Sequence, residues 1–171
     1  SPWSVVPGAG VTGAGYATGV YGSDTCAALA TNDMLFDASP QLSFQSKYDI
    51  ESGWDKGELQ ISTDGGVNWS RVAMTYPGSS SYTNDSCGLG TGTYFTGTQT
   101  SYAAFTADLS AWSGQSVRLR WLFSSDGSVV GDGWWIDDIA ITNVAVPGSC
   151  SGAGVVFVDD FESGDTSAWS R

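Results

Sequence analysis

Hydrophobic and polar positions alternate along much of this chain. The period is the two of half-buried β-strands, not the 3.6 of amphipathic helices. Val117–Ser124 is the cleanest stretch: Val117, Leu119, Trp121 and Phe123 face one way, and Arg118, Arg120 and Leu122 the other. Tyr48–Ser52 sets Tyr48 and Ile50 against Asp49 and Glu51, and Glu58–Ser62 turns Leu59 and Ile61 inward. Glu51 and Glu58 therefore fall at polar, outward positions of predicted strands. Asp64-Gly65-Gly66 is a hairpin signal, with Trp69–Met74 as the returning strand. Trp3, Val5 and Val6 mark a first strand, and Met34–Phe36 and Leu42–Phe44 flank a turn at Pro40. Tyr76–Ser101 is a long Gly/Ser/Thr-rich connection, of a length that in a compact domain is functional or mobile. Tyr102–Leu109 resumes the strand pattern. The last and most apolar element is Trp134–Thr142, inside DGWWIDDIAI at Asp132–Ile141. Short strands at this spacing, with turn signals between them, predict an all-β, two-sheet antiparallel β-sandwich.

The sandwich is expected to occupy residues 1–146. Residues 147–154, with Pro147-Gly148 and Ser/Gly around Cys150, read as a linker. Residues 155–171 are either a terminal strand segment or the start of a following repeat, because Ser167-Ala168-Trp169-Ser170 echoes Ser1-Pro2-Trp3-Ser4.

Charge narrows the partners. The 171 residues carry 18 Asp and Glu against 6 Lys and Arg, a net charge of −12, so nucleic acid and anionic membrane surfaces are poor partners and no nucleic-acid partner is expected. No apolar run is long enough to span a membrane. The chain lacks an initial Met and a signal-like segment, which fits a mature or excised piece of a larger exported protein. All but Glu51, Glu58 and Glu162 of the acids are Asp, a residue of turns and of oxygen-ligand metal sites. The three cysteines are too widely spaced for a zinc motif. Export permits one disulfide. Cys26 with Cys87 is the favoured pair because Cys150 falls in the linker, with three separate thiols as the alternative.

Asp137 and Asp138 lie in the middle of the predicted last strand, among tryptophans and isoleucines. Desolvating a carboxylate costs several kcal/mol unless something pairs with it, and basic residues are scarce here. A hard cation bound by carboxylate and carbonyl oxygen, calcium above all, is the expected partner. Strict alternation points Asp137 the same way as Ile139 and Ile141 and Asp138 the opposite way, so loop oxygens must complete a site. Asp132, Asp126 and Asp33 are the candidates. The competing reading pairs Asp137 with backbone N–H groups or with Arg118 or Arg120. Without a histidine, Ser-His-Asp and Cys-His catalysis and the common zinc sites are excluded. A carboxylate pair built on Glu51 or Glu58 stays formally available. Their outward positions suit a solvated face, and the expectation is no catalysis.

Ser62-Thr63-Asp64-Gly65-Gly66-Val67-Asn68-Trp69 resembles the Asp-box of sialidases and other β proteins, a structural turn. The wider set is more specific. Tyr48-Asp49-Ile50-Glu51, Trp54-Asp55-Lys56-Gly57-Glu58-Leu59 and Gly131-Asp132-Gly133-Trp134-Trp135-Ile136-Asp137-Asp138-Ile139 resemble the MAM-like jelly-roll domain of secreted bacterial proteins. Such domains accompany immune-inhibitor-A-type metalloproteases. The tail Phe157–Trp169 is similar to the segment that opens many such domains, while the regular cysteine pattern of eukaryotic MAM domains is absent. The resemblance implies a two-sheet jelly roll, often with calcium near the Asp of the last strand. That expectation carries to Asp137 first.

The function expected is a non-catalytic accessory domain of a secreted or surface protein, calcium-stabilised, beside a neighbouring domain of the same polypeptide. The alternatives are a carbohydrate-binding module, with Trp54, Trp112 or Tyr82 stacking on sugar faces, and an adhesive repeat recognising an extracellular protein.

Overall fold

The computed structural model describes residues 2–145 and two further strands, Phe157–Asp159 and Trp169–Ser170. The linker residues 147–154, Cys150 among them, lie outside the described residues, as does most of 155–171. Among the described residues fifteen strands form two antiparallel sheets and a small ribbon, arranged as a jelly-roll β-sandwich. One sheet runs β1 (Ser4–Pro7), β2 (Ala14–Ala17), β12 (Gly133–Ile141), β5 (Gln41–Asp49), β10 (Thr98–Asp108), and β14 (Phe157–Asp159) also pairs with β12. The other runs β13 (Val144–Ala145), β4 (Met34–Phe36), β11 (Ser116–Ser124), β3 (Cys26–Thr31), β15 (Trp169–Ser170). In it β6 (Lys56–Ser62) pairs with β11 and with β7 (Ser70–Arg71). The ribbon is β8 (Gly78–Ser80) with β9 (Gly92–Tyr94). Among the described residues no helix is long and apolar enough to cross a membrane.

Alternation along β5 and β11 builds the core. Leu42, Phe44 and Tyr48 from one sheet meet Leu119, Trp121 and Phe123 from the other, with Phe44 edge-on to Trp121 at 5.5 Å between ring centroids. Trp134 is fully buried and donates its Nε1–H to Ser46 Oγ at 2.8 Å. Gly57 on β6 admits that indole, because a Cβ there would stand 2.5 Å from the ring. The two segments Leu42–Phe44 and Tyr48–Ser52 join into the single strand β5, and Trp69–Met74 contracts to the short β7.

Tyr76–Ser101 departs most from its expected role as a bare connection. It carries the ribbon and the first residues of β10, and it lays Tyr94 and Phe95 into the interior. Phe95 is fully buried and touches the rings of Phe44, Tyr48, Tyr76, Phe105 and Trp134. By folding back over β6 it also covers the polar face of that strand. Glu58, expected outward and solvated, points outward but is buried, paired with Arg71 at 2.9 Å. Lys56 is buried beside it and gives all three of its protons, to Asp85 Oδ2 at 2.9 Å, to Tyr82 O at 2.5 Å and to Gly90 O at 2.7 Å. Cys26 and Cys87 form a disulfide that ties the same excursion to the start of β3.

Candidate metal centre

Three connections meet at one end of the sandwich: residues 18–25 between β2 and β3, residues 50–55 between β5 and β6, and residues 125–132 between β11 and β12. They bring Glu51, Asp55 and Asp126 together, with one carboxylate oxygen of each within 4.8 Å of the others. The middle connection is a tight turn closed by Asp55 N–H on Glu51 O at 3.0 Å, with Gly53 at positive φ of 78° between them. A turn of this length sets the two acids four residues apart at its two ends.

The environment differs for each oxygen. Asp55 is buried, with Oδ2 accepting from the Tyr21 hydroxyl and Oδ1 from Asp126 N–H at 2.9 Å. Asp126 is buried and accepts Ser128 N–H at 2.9 Å. Glu51 Oε2 is withdrawn from solvent and has no hydrogen-bond donor among the described residues. Burial and then the neighbouring charges of Asp126 and Asp55 push the Glu51 carboxyl above its ordinary range. Burial likewise raises Asp55, against the hydrogen bonds from Tyr21 and Asp126. Burial, then the contact with Asp55, raises the Tyr21 phenol. Three acids this close, one with an orphaned buried oxygen, have no positive partner among the described residues.

A hard cation fits that deficit. Calcium binds oxygens at 2.3–2.6 Å, so two oxygens on one ion stand no more than about 5 Å apart. The 4.8 Å spread lies within that limit. The donor set is all oxygen, and further oxygens are available from the surrounding main chain and water.

Of the acids expected from the sequence to bind a metal, Asp126 alone falls in this cluster among the described residues. Asp137 is buried elsewhere. A β-bulge between Asp137 and Ala140 breaks the alternation, with Asp138 at φ of 48°. Asp137 thus pairs opposite Gln45 on the outer face of the sheet, not on the face of Ile139 and Ile141. There the amino-terminal segment covers it, and its Oδ2 accepts Val11 N–H at 2.6 Å. Asp138 and Asp132 are exposed. Asp33, in the turn after β3, holds Arg118 through two bonds at 2.7 and 2.9 Å. Sequence reasoning passed over Asp55 and placed Glu51 on a solvated face. The signal for both was the pair Glu51 and Asp55 bracketing Gly53 in a turn.

The predicted ligand-binding aromatics also separate. Trp54 is 46% exposed, and its ring lies 4.7 Å from that of the half-buried Tyr82. Trp112 packs against the core instead. In the β6–β7 hairpin Asp64 accepts Val67 and Asn68 N–H groups, and Trp69 donates to Gly66 O at 2.9 Å.

The fold and the cluster define a class: an antiparallel β-sandwich module with a loop-borne carboxylate site at one end. More particularly, the chain belongs to the family described as Immune inhibitor A-like, MAM domain, whose model matches residues 20–170. It is also similar to Bacillopeptidase F of Bacillus subtilis (strain 168), 26% identical over 102 residues. That match covers 60% of this chain and 6% of the relative, so the chain spans a small part of the curated protein it resembles.

Proposed function

We propose that the chain is a non-catalytic accessory module of a larger secreted, protease-type polypeptide, stabilised by one calcium ion held by Glu51, Asp55 and Asp126. The single observation that carries the metal is the orphaned, buried Glu51 Oε2 among three carboxylates. Membership of the Immune inhibitor A-like MAM family and the partial likeness to a bacillopeptidase support the accessory role. The chemistry available supports it too. The chain has no histidine, Glu58 is committed to Arg71, and Asp85 to Lys56. Calcium bridging the connections at 50–55 and 125–132 would pin one end of the sandwich, and through the Tyr21–Asp55 hydrogen bond the connection at 18–25 with it. A rigid end of this kind serves a module that holds or targets a neighbouring domain outside the cell, where calcium is plentiful.

Thermal unfolding in calcium and in excess chelator tests the reading. At 100 times its dissociation constant, one ion that binds only the folded state adds about 2.7 kcal/mol, or roughly 5–10 °C in a domain of this size. The midpoint should fall in chelator and recover with calcium. Asp126→Asn should lose the response and Asp137→Asn should keep it. A midpoint indifferent to chelator contradicts the calcium reading.

A further inference from the structure

Beside the acid cluster lies an open groove of about 610 Å3, lined by Gly53, Trp54, Ser79, Ser80, Ser81, Tyr82 and Thr91. Its volume is that of a small-ligand site. None of its lining side chains is charged, and a net charge of −12 on the whole chain repels polyanions. The indole of Trp54 and the phenol of Tyr82 meet at 54° and offer apolar ring surface. Around them Ser79, Ser81 and Thr91 are exposed and bring hydroxyls that both donate and accept. Among the described tryptophans Trp54 is the exposed one, and the part of its ring that Tyr82 leaves uncovered faces the groove.

The groove is built rather than incidental. Ser80 Oγ donates to Gly53 O at 2.6 Å and accepts Tyr82 N–H at 3.2 Å, joining the two walls. Behind Tyr82, Lys56 holds Tyr82 O and Gly90 O, and the Cys26–Cys87 disulfide anchors the excursion between Tyr82 and Thr91. Gly53 N–H donates to Thr96 Oγ1 at 2.8 Å. The Trp54 wall is the same turn whose two ends are Glu51 and Asp55.

We propose that the Trp54–Tyr82 groove is a binding site for a neutral saccharide, strengthened by metal at the adjoining Glu51, Asp55 and Asp126. Pyranose rings present an apolar C–H face for the aromatics and equatorial hydroxyls for the serine and threonine side chains. Ligation at both ends of the 51–55 turn fixes the residue that stacks. The metal and the saccharide then favour the same turn conformation, and each raises the affinity for the other by the same factor. Only this metal dependence rests on the calcium reading above. A proline-rich peptide is the competing occupant, since it also docks on exposed tryptophan and tyrosine. The hydroxyl-rich rim favours the sugar.

Isothermal titration calorimetry of the whole chain with cellohexaose, chitohexaose and poly-L-proline, each in calcium and in chelator, tests the proposal. The expected result is saturable binding of at least one saccharide in calcium, weakened on the order of tenfold by Trp54→Ala and about fivefold or more by chelator. Trp54 is exposed, so its truncation leaves the fold intact, which the unfolding midpoint checks. Absence of binding to both saccharides, or affinity unchanged in Trp54→Ala, overturns the saccharide site. Binding of poly-L-proline alone overturns it as well. Saccharide binding that ignores chelator while the unfolding midpoint still falls overturns the coupling and leaves the metal site standing. If neither responds to chelator, the calcium reading itself fails and the groove stands alone.

Discussion

Asp85 and Glu51 are two withdrawn carboxylates with opposite surroundings. Asp85 is buried, which alone would raise its pKa. The N–H groups of Leu89 and Gly90, the Lys56 ammonium and the Ser124 hydroxyl outweigh that and hold it at about 2. A carboxyl depressed in the folded state adds stability above its ordinary value of 3.8, and that stability is lost as the pH falls toward about 2. Urea midpoints should therefore drop on acidification through this window, less steeply in Asp85→Asn. At neutral pH the same substitution leaves Lys56 buried without its counter-charge and should cost about 3–5 kcal/mol. An Asp85→Asn protein as stable as the parent would contradict that assignment. Glu51 Oε2 has no such partners among the described residues. In chelator, Glu51→Gln removes a charge from between two others and should raise the unfolding midpoint, a gain of about 1 kcal/mol. A midpoint lowered by this substitution in chelator would mean that the carboxylate is satisfied by the protein itself.

At the scale of elements, β6 and the excursion after β7 decide how much of the fold was legible beforehand. Alternation located β5, β6, β11 and β12, because each places every second side chain in one core. It missed β2 and β3, whose small Ala and Gly residues carry little hydrophobic signal, and it missed the burial of Phe95 inside a Gly-rich stretch. Pattern reports which face a side chain takes on its own strand, not what another segment later lays over that face. For this reason the outward residues Lys56 and Glu58 are buried. The bulge at Asp138 was equally hidden, since an extra residue in β12 leaves no mark on an apolar run. Two substitutions test this packing. Gly57→Ala drives a Cβ into the Trp134 ring and should cost about 1–3 kcal/mol in urea unfolding. Replacing Cys26 and Cys87 by serine reopens a loop spanning 61 residues, worth about 4 kcal/mol by chain entropy. Unchanged midpoints would place the stability of this excursion elsewhere.

For the molecule as a whole, a continuous sandwich core coexists with one end where three connections converge on carboxylates that have no positive partner among the described residues. The acidic composition pointed to an oxygen-ligand cation, and the strand carrying Asp137 and Asp138 looked like its seat. The fold instead covers Asp137 with the amino-terminal segment, whose Val11 N–H bonds its Oδ2, and gathers carboxylates from separate loops. That convergence depends on strand order, which periodicity along one chain does not encode. The core should therefore stay folded in chelator, with the loss confined to the loop end. Hydrogen exchange should quicken at residues 18–25, 50–55 and 125–132 and leave β5 and β11 protected. Uniform acceleration through β5 and β11 would contradict this division.

The most direct measurement is calorimetric titration of chelator-stripped protein with calcium, beside the Glu51→Gln variant. One saturable site per chain is expected in the parent, and its loss in the variant. Absence of binding in the parent, or equal binding in both proteins, would contradict a metal centre at Glu51, Asp55 and Asp126.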